Sequence, residues 1–139
     1  MVRVFWDTNL FIYLVEATGQ HLRVRKMREA MRERGDELVT SALTLGELLV
    51  KPKSQGADDL VQAYERLLTS AATVLPFDAN SARRFADIRA TKAVKVPDAI
   101  QLACAAAARV DLFITNDDRL SRLVVPGIHF ISSLERAFL

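Results

Sequence analysis

Four acidic residues stand where the chain can bring them together. Asp7 directly follows an apolar run containing Val2, Val4, Phe5 and Trp6, and Asp117 comes just after Leu112, Phe113 and Ile114. Glu47 lies within Leu43-Thr44-Leu45-Gly46-Glu47-Leu48-Leu49-Val50, and Asp98 follows Pro97 at the head of an alanine-rich run. Carboxylates held close together repel one another, and a divalent cation removes that penalty. Mg²⁺ and Mn²⁺ prefer oxygen ligands. Such an ion can lower the pKa of a coordinated water and stabilise charge on a phosphoryl group in transfer. Thr8, Asn9, Ser41, Thr115 and Asn116 add hydroxyl and amide groups near the same acids, and Asp118 adds one more carboxylate.

Taken singly, each acid has a plainer role. Asp7 and Asp117 suit helix caps or turns. Asp98 suits the positive end of a helix. Glu47 can sit at the edge of a helix with its charge in water, but its helical neighbours at i−4 and i+3 are Leu43 and Val50. A carboxylate on an apolar face is costly unless it is paired or bound to a metal.

The elements that must position these acids are short. Residues 2–6 read as a buried strand, ended by the capping types Asp7-Thr8-Asn9, with a helix following to about residue 17. Residues 21–34 read as an amphipathic helix, with Leu22, Met27, Ala30 and Met31 on its apolar side. Leu38 and Val39 make a very short strand, Thr40-Ser41 a cap, and residues 43–50 a helix ended by a loop over 51–56. A helix over 58–71, a strand over 73–75, a helix from residue 78 to about 91 and a helix over 97–108 follow. Pro97 fits the first helical position of the last of these. Residues 112–115 form an apolar strand, 118–123 a short helix and 128–131 a last strand. Short apolar strands alternating with helices predict an α/β fold, an α/β/α sandwich around a short, mostly parallel sheet. No linker interrupts the chain, so residues 1–139 are expected to form one domain. In such a sheet, ligands bind beyond the carboxyl ends of the strands, where Asp7 and Asp117 would share a rim.

The 139 residues are 50% hydrophobic and 26% charged, a globular composition. The formal charge of +2 does not by itself argue for nucleic-acid binding. Its distribution is more informative. Residues 20–35 hold six basic residues against two acidic, among them Arg23, Arg25 and Arg28. Residues 83–95 hold Arg83, Arg84, Arg89, Lys92 and Lys95 against Asp87 alone. Arginine supplies a rigid fork of donors suited to phosphate, so these patches are candidate contacts for a phosphate backbone as well as solvated helix faces. The lone Cys104 excludes an internal disulfide and fits a reducing, cytoplasmic setting. No apolar stretch is long enough to span a membrane.

With the acids in place, the sequence resembles the PIN domain family, and more narrowly the VapC-like toxin ribonucleases of toxin–antitoxin pairs. The matching segments are Phe5-Trp6-Asp7-Thr8-Asn9-Leu10-Phe11-Ile12, Thr40-Ser41-Ala42-Leu43-Thr44-Leu45-Gly46-Glu47-Leu48, Pro97-Asp98-Ala99-Ile100-Gln101-Leu102-Ala103 and Leu112-Phe113-Ile114-Thr115-Asn116-Asp117. They arrive in the family's order and span nearly the whole chain. The resemblance implies a PIN fold and Mg²⁺- or Mn²⁺-dependent cleavage of RNA. It assigns Asp7, Glu47, Asp98 and Asp117 to the acidic centre, with Asp7, Asp98 and Asp117 as metal ligands. Thr8 and Asn9 would support Asp7, Ser41 would hydrogen-bond within the site, and Thr115 would orient the last acidic loop. Asp117 is expected to point inward, with Asp118 as helix cap or outer ligand. The implied partners are an antitoxin and a second copy of the chain. The first helices and the apolar end, Phe138 and Leu139, are candidates for the dimer surface. Trp6 replaces the aliphatic residue usual before the first aspartate and is expected to pack in the core.

The alternatives are a non-catalytic RNA-binding PIN protein and a phosphoaspartyl phosphatase using Asp7. The second is disfavoured because such enzymes usually carry another aspartate two residues on, where this chain has Asn9. A nucleotide-binding domain lacks its glycine-rich loop, and neither His21 nor His129 sits beside a nucleophile motif.

Overall fold

A computed structural model of the chain describes residues 1–137. Its strands are β1 (Arg3–Trp6), β2 (Glu37–Ser41), β3 (Thr73–Leu75), β4 (Leu112–Thr115) and β5 (Phe130–Ser133). Its helices are α1 (Thr8–Glu16), α2 (His21–Arg34), α3 (Ala42–Ser54), α4 (Asp58–Ala71), α5 (Ala79–Thr91), α6 (Val96–Ala107) and α7 (Asp118–Ser121). A single 3₁₀ turn, Leu134–Arg136, follows β5. The sheet order is β3-β2-β1-β4-β5, and every pairing is parallel. The mostly parallel sheet expected from sequence is therefore wholly parallel.

Strand periodicity sorts the core into two layers. Val4 and Trp6 face one side with Leu38 and Ile114, against Leu10 and Phe11 of α1, Val24 and Met27 of α2, Leu48 of α3 and Leu68 of α4. Phe5, Val39 and Phe113 face the other, against Ile88 of α5 and the alanine-rich side of α6. The Phe5 and Phe113 rings stack at 4.8 Å, and Trp6, fully buried as expected, tilts against Phe11 at 5.2 Å. The small side chains of α6 permit close approach. A Cβ on Gly127, whose φ is +100°, would lie 2.7 Å from the Ala106 carbonyl. Cys104 is buried here, and desolvation pushes its thiol up to about 11, the inert state expected of it.

Four boundaries differ from the sequence reading, the simplest being α7, which ends at Ser121 rather than at residue 123. Strand β2 is longer and takes in Glu37, Thr40 and Ser41, because both neighbouring strands pair with it. Helix α3 runs on through residues expected to be a loop. Pro52 is buried within it, and the missing proline N–H removes only one helical hydrogen bond, while the Lys51 carbonyl still accepts from Gln55 N at 3.1 Å. The last strand begins two residues late. Ile128 instead closes a turn onto Val125 and fills the core, leaving Phe130, Ile131, Ser132 and Ser133 to pair with β4. Phe138 and Leu139 lie outside the described residues. No described helix is long and apolar enough to cross a membrane.

Candidate active site

The strand order changes direction at β1, with β2 and β3 to one side and β4 and β5 to the other. A crevice opens beyond the carboxyl ends of strands at such a point. Asp7 leaves β1 there, and its backbone N–H donates to the Ile114 carbonyl of β4 at 3.1 Å. It caps α1. Its Oδ1 accepts from Thr8 N at 2.8 Å, and its Oδ2 accepts from Thr115 Oγ1 at 2.9 Å. Thr115 in turn accepts from Asp117 N at 3.0 Å, so one hydroxyl fixes both the first acid and the last acidic loop.

The other acids reach the same groove from α3, α6 and the β4–α7 turn. A groove of about 550 Å³ is lined by Asp7, Glu47, Asp98, Asp117 and Asp118, together with Thr8, Asn9, Asn116 and Gln101. Every polar group in that set offers oxygen. Thr8 Oγ1 donates to Glu47 Oε1 at 2.7 Å. Asp98 lies in the first turn of α6 behind Pro97, and the tight packing of that helix on the sheet holds it in place.

The electrostatics show how crowded these charges are. Burial pushes the Asp7 carboxyl above the usual carboxylate range, against the lowering effect of its bonds to Thr8 and Thr115, with Asp98 and Glu47 pushing it further up. Burial likewise raises Asp98, and Asp117 and Glu47 add to the rise while Lys95 and Arg119 oppose it. Asp117 moves the other way because Arg119 bonds to it. The Arg119 guanidinium reaches Asp117 Oδ2 at 3.1 Å and Oδ1 at 3.3 Å. Among the described residues, this is the one ion pair that any of these acids makes. Also among the described residues, no three acidic, histidine or cysteine side chains converge as a ready-made ligand cluster.

The PIN domain family profile matches residues 4–125. The chain belongs to the PIN domain family. In fold, this PIN domain is similar to a chain of the VapBC2 complex from Rickettsia felis bound to a promoter DNA fragment, with a TM-score of 0.76 at 15% identity over 94% of this chain and 98% of that one. It is similar to a chain of DNA-bound VapBC from Salmonella typhimurium, with a TM-score of 0.75 at 23% identity over 96% and 99%. A third likeness is VapC20 from Mycobacterium tuberculosis, described as a sarcin–ricin loop cleaving toxin, with a TM-score of 0.68 at 16% identity over 87% and 96%. No curated protein matches the sequence.

Within the PIN domain the expected residues divide. Asp7, Thr8, Asn9, Glu47, Asp98, Asn116, Asp117 and Asp118 line the groove. Ser41 and Thr115 are buried beneath it. The helix cap falls to Asp117 rather than to Asp118, because the Asp117 side chain accepts from Arg119 N at 2.9 Å while Asp118 already lies inside α7. Asn116 turns its amide away from the acids, donating to Tyr13 Oη at 2.8 Å. None of Arg23, Arg25, Arg28, Arg83, Arg84, Arg89, Lys92 or Lys95 lines the groove. Lys95 borders it, sharing a cavity of about 80 Å³ with Asp98 and Arg119. Arg28 and Arg32 instead open onto a separate groove near the start of β2.

The sequence reading missed Gln101, which lines the groove, and Thr44, Tyr13 and Arg119, which bond to residues that line it. Gln101 left a usable signal, an amide alone among Ala99, Leu102, Ala103 and Cys104 on the buried side of α6. Arg119 left none, because an arginine two residues after an acid is ordinary surface sequence.

Proposed function

We propose that this PIN domain is a divalent-metal-dependent endoribonuclease acting as the toxin of a toxin–antitoxin pair. The observation that carries the reading is that Asp7, Glu47, Asp98 and Asp117 line one groove, where Asp7 and Asp98 are raised by burial and by their acidic neighbours. The oxygen donor set and the surplus of negative charge fit Mg²⁺ or Mn²⁺. Asp7, Asp98 and Asp117 would hold the ion, with Glu47 completing or bordering the set. When bound, the ion supplies Lewis acidity and neutralises charge on the phosphate oxygens.

The chain's own groups do the rest. Thr8 N–H and the Thr115 hydroxyl fix both oxygens of Asp7, so its carboxylate is held in one orientation before RNA arrives. Thr115 ties the Asp117 turn to the same anchor. Glu47 is held at Oε1 by Thr8, which leaves Oε2 to accept a proton from water. The reaction is hydrolysis. A water oxygen bonds to phosphorus, the P–O3′ bond breaks, and a 5′-phosphate and a 3′-hydroxyl remain. Lys95, which shares a cavity with Asp98 and Arg119 at the groove's edge, would contact the phosphate backbone, with the arginines of α2 and α5 acting further out. The partners are RNA, an antitoxin and a second copy of the chain, and the place of action is the cytoplasm. The likeness to VapBC structures supports the antitoxin reading.

Purified chain should cleave a mixed RNA pool with Mg²⁺ or Mn²⁺, and activity should vanish in EDTA and in Asp7→Asn. Retained activity in purified Asp7→Asn would sink the assignment. The Asp117–Arg119 pair favours one second reading, an RNA-binding PIN protein without turnover. In that case RNA would be retained and returned intact with either metal.

A further inference from the structure

Gln101 sits on α6 one turn beyond Asp98 and is 2% exposed. Its side-chain amide joins three parts of the fold beneath the groove. Oε1 accepts from Ser41 Oγ, which caps α3. Nε2 donates to Thr44 Oγ1 at 2.7 Å and to Thr8 Oγ1 at 3.2 Å. Thr8 then donates to Glu47 Oε1 at 2.7 Å.

Proton counting gives this chain a direction. An amide NH₂ only donates, and a hydroxyl carries a single proton. Gln101 donates to both Thr8 and Thr44, and the single Thr8 proton then has two acceptors in reach, Glu47 Oε1 at 2.7 Å and Thr44 Oγ1 at 3.3 Å, of which Glu47 is the nearer. A hydrogen bond to a carboxylate is the stronger choice for that proton. With the amide turned over, the Gln101 oxygen would face both threonines and compete with Glu47 for the Thr8 proton. Ser41 holds the observed orientation. Its oxygen accepts from Thr44 N at 3.2 Å, and its proton goes to Gln101 Oε1.

Resting on the ribonuclease reading above, we infer that Gln101 is a positioning residue for Glu47, acting through the direction of the Thr8 hydroxyl. Its own hydrogen bonds go to Ser41, Thr44 and Thr8 and to none of the acids. Gln101→Glu preserves size and shape but replaces the donor with acceptors. It should lower kcat for RNA cleavage about ten- to a hundredfold, with KM changed less than about twofold. Thr8→Val should give a similar loss, and the double variant should lose little more, because both changes remove the same hydrogen bond. Thr8→Ser keeps the hydroxyl and should retain most of the activity.

A second readout needs no turnover. In the metal-free chain the Gln101 side-chain NH₂ signal in a nitrogen–proton NMR spectrum should exchange slowly. It should shift in Thr8→Val and in Glu47→Gln, and stay in place in Asp36→Asn. Losses that multiply in the double variant, wild-type kinetics in Gln101→Glu, or losses that simply follow melting temperature would overturn the inference. An NH₂ signal blind to both Thr8→Val and Glu47→Gln would overturn it as well. A wild-type chain that cleaves nothing would instead fell the ribonuclease reading, while the amide signal still decides whether the network exists.

Discussion

The two ends of the sheet both carry carboxylates, and they treat them in opposite ways. At the amino end, Asp36 has a side chain only 1% exposed, and each of its oxygens is satisfied. One accepts from Val2 N at 2.9 Å and the other from Arg34 Nε at 3.0 Å. Glu37 takes Arg3 at 2.8 Å and Thr73 at 2.7 Å, and those bonds hold its carboxyl below the usual range. Asp111 accepts from Arg3 N at 2.7 Å. Each acid there ties one strand to the next. At the carboxyl end, Asp7, Glu47 and Asp98 face a shared groove with no ion pair among the described residues, and Asp7 and Asp98 are pushed up. The first arrangement stabilises the fold. The second leaves repulsion that a ligand can relieve, and that difference marks the site.

The comparison can be broken most forcefully at Asp7. Asp7→Asn is expected to cut metal-dependent RNA cleavage by about 100-fold or more. Its circular dichroism should match the wild type. The converse change at the other end should spare function and damage stability. Asp36→Ala removes a buried acceptor from an arginine and a backbone N–H, and it should cost about 2 kcal/mol in denaturant unfolding. Its Mn²⁺ affinity should be unaltered. A smaller effect is expected at Arg119, which pairs with Asp117. Its side chain is 77% exposed, so its pair with Asp117 is weak. Arg119→Ala should tighten Mn²⁺ binding about two- to fivefold by calorimetry.

The subtlest test is the pH dependence of melting without metal. Asp7 is an acid whose folded pKa is raised. Its charged form disfavours the fold, so the wild type should gain stability from this group as pH falls from neutral through its folded pKa. Asp7→Asn should melt at or above the wild-type temperature at pH 7, with the difference fading in acid. Glu37 has the opposite sign, being lowered. Its contribution is present above its unfolded pKa and is lost as pH falls through its folded pKa. Glu37→Gln should therefore melt below the wild type at pH 7, with that difference also fading in acid.

The sequence made one end of this contrast legible and hid the other. Asp7 and Asp117 could be placed because each follows an apolar run that could only be a strand, and strand direction then puts both on one rim. Asp98 could be placed because Pro97 marks a helix start. Asp36 and Asp111 look much the same in sequence, but they precede strands rather than follow them, which puts them at the far end. What could not be read was the polar layer under the groove. Thr44 and Gln101 are 57 residues apart and meet only after α3 and α6 pack. The arginines of α2 and α5 were legible as charge, but a helix face can be assigned to the groove only once its packing is known. The Pro52 boundary failed for a related reason, since burial of its ring in α3 is a tertiary effect that overrides a local helix-breaking preference.

The most direct measurement is calorimetric titration of Mn²⁺ into metal-free wild type, Asp7→Asn and Asp36→Asn. The account predicts binding by the wild type and by Asp36→Asn with similar affinity, and none by Asp7→Asn. Equal binding by Asp7→Asn and the wild type, or loss of binding confined to folded Asp36→Asn, would contradict it.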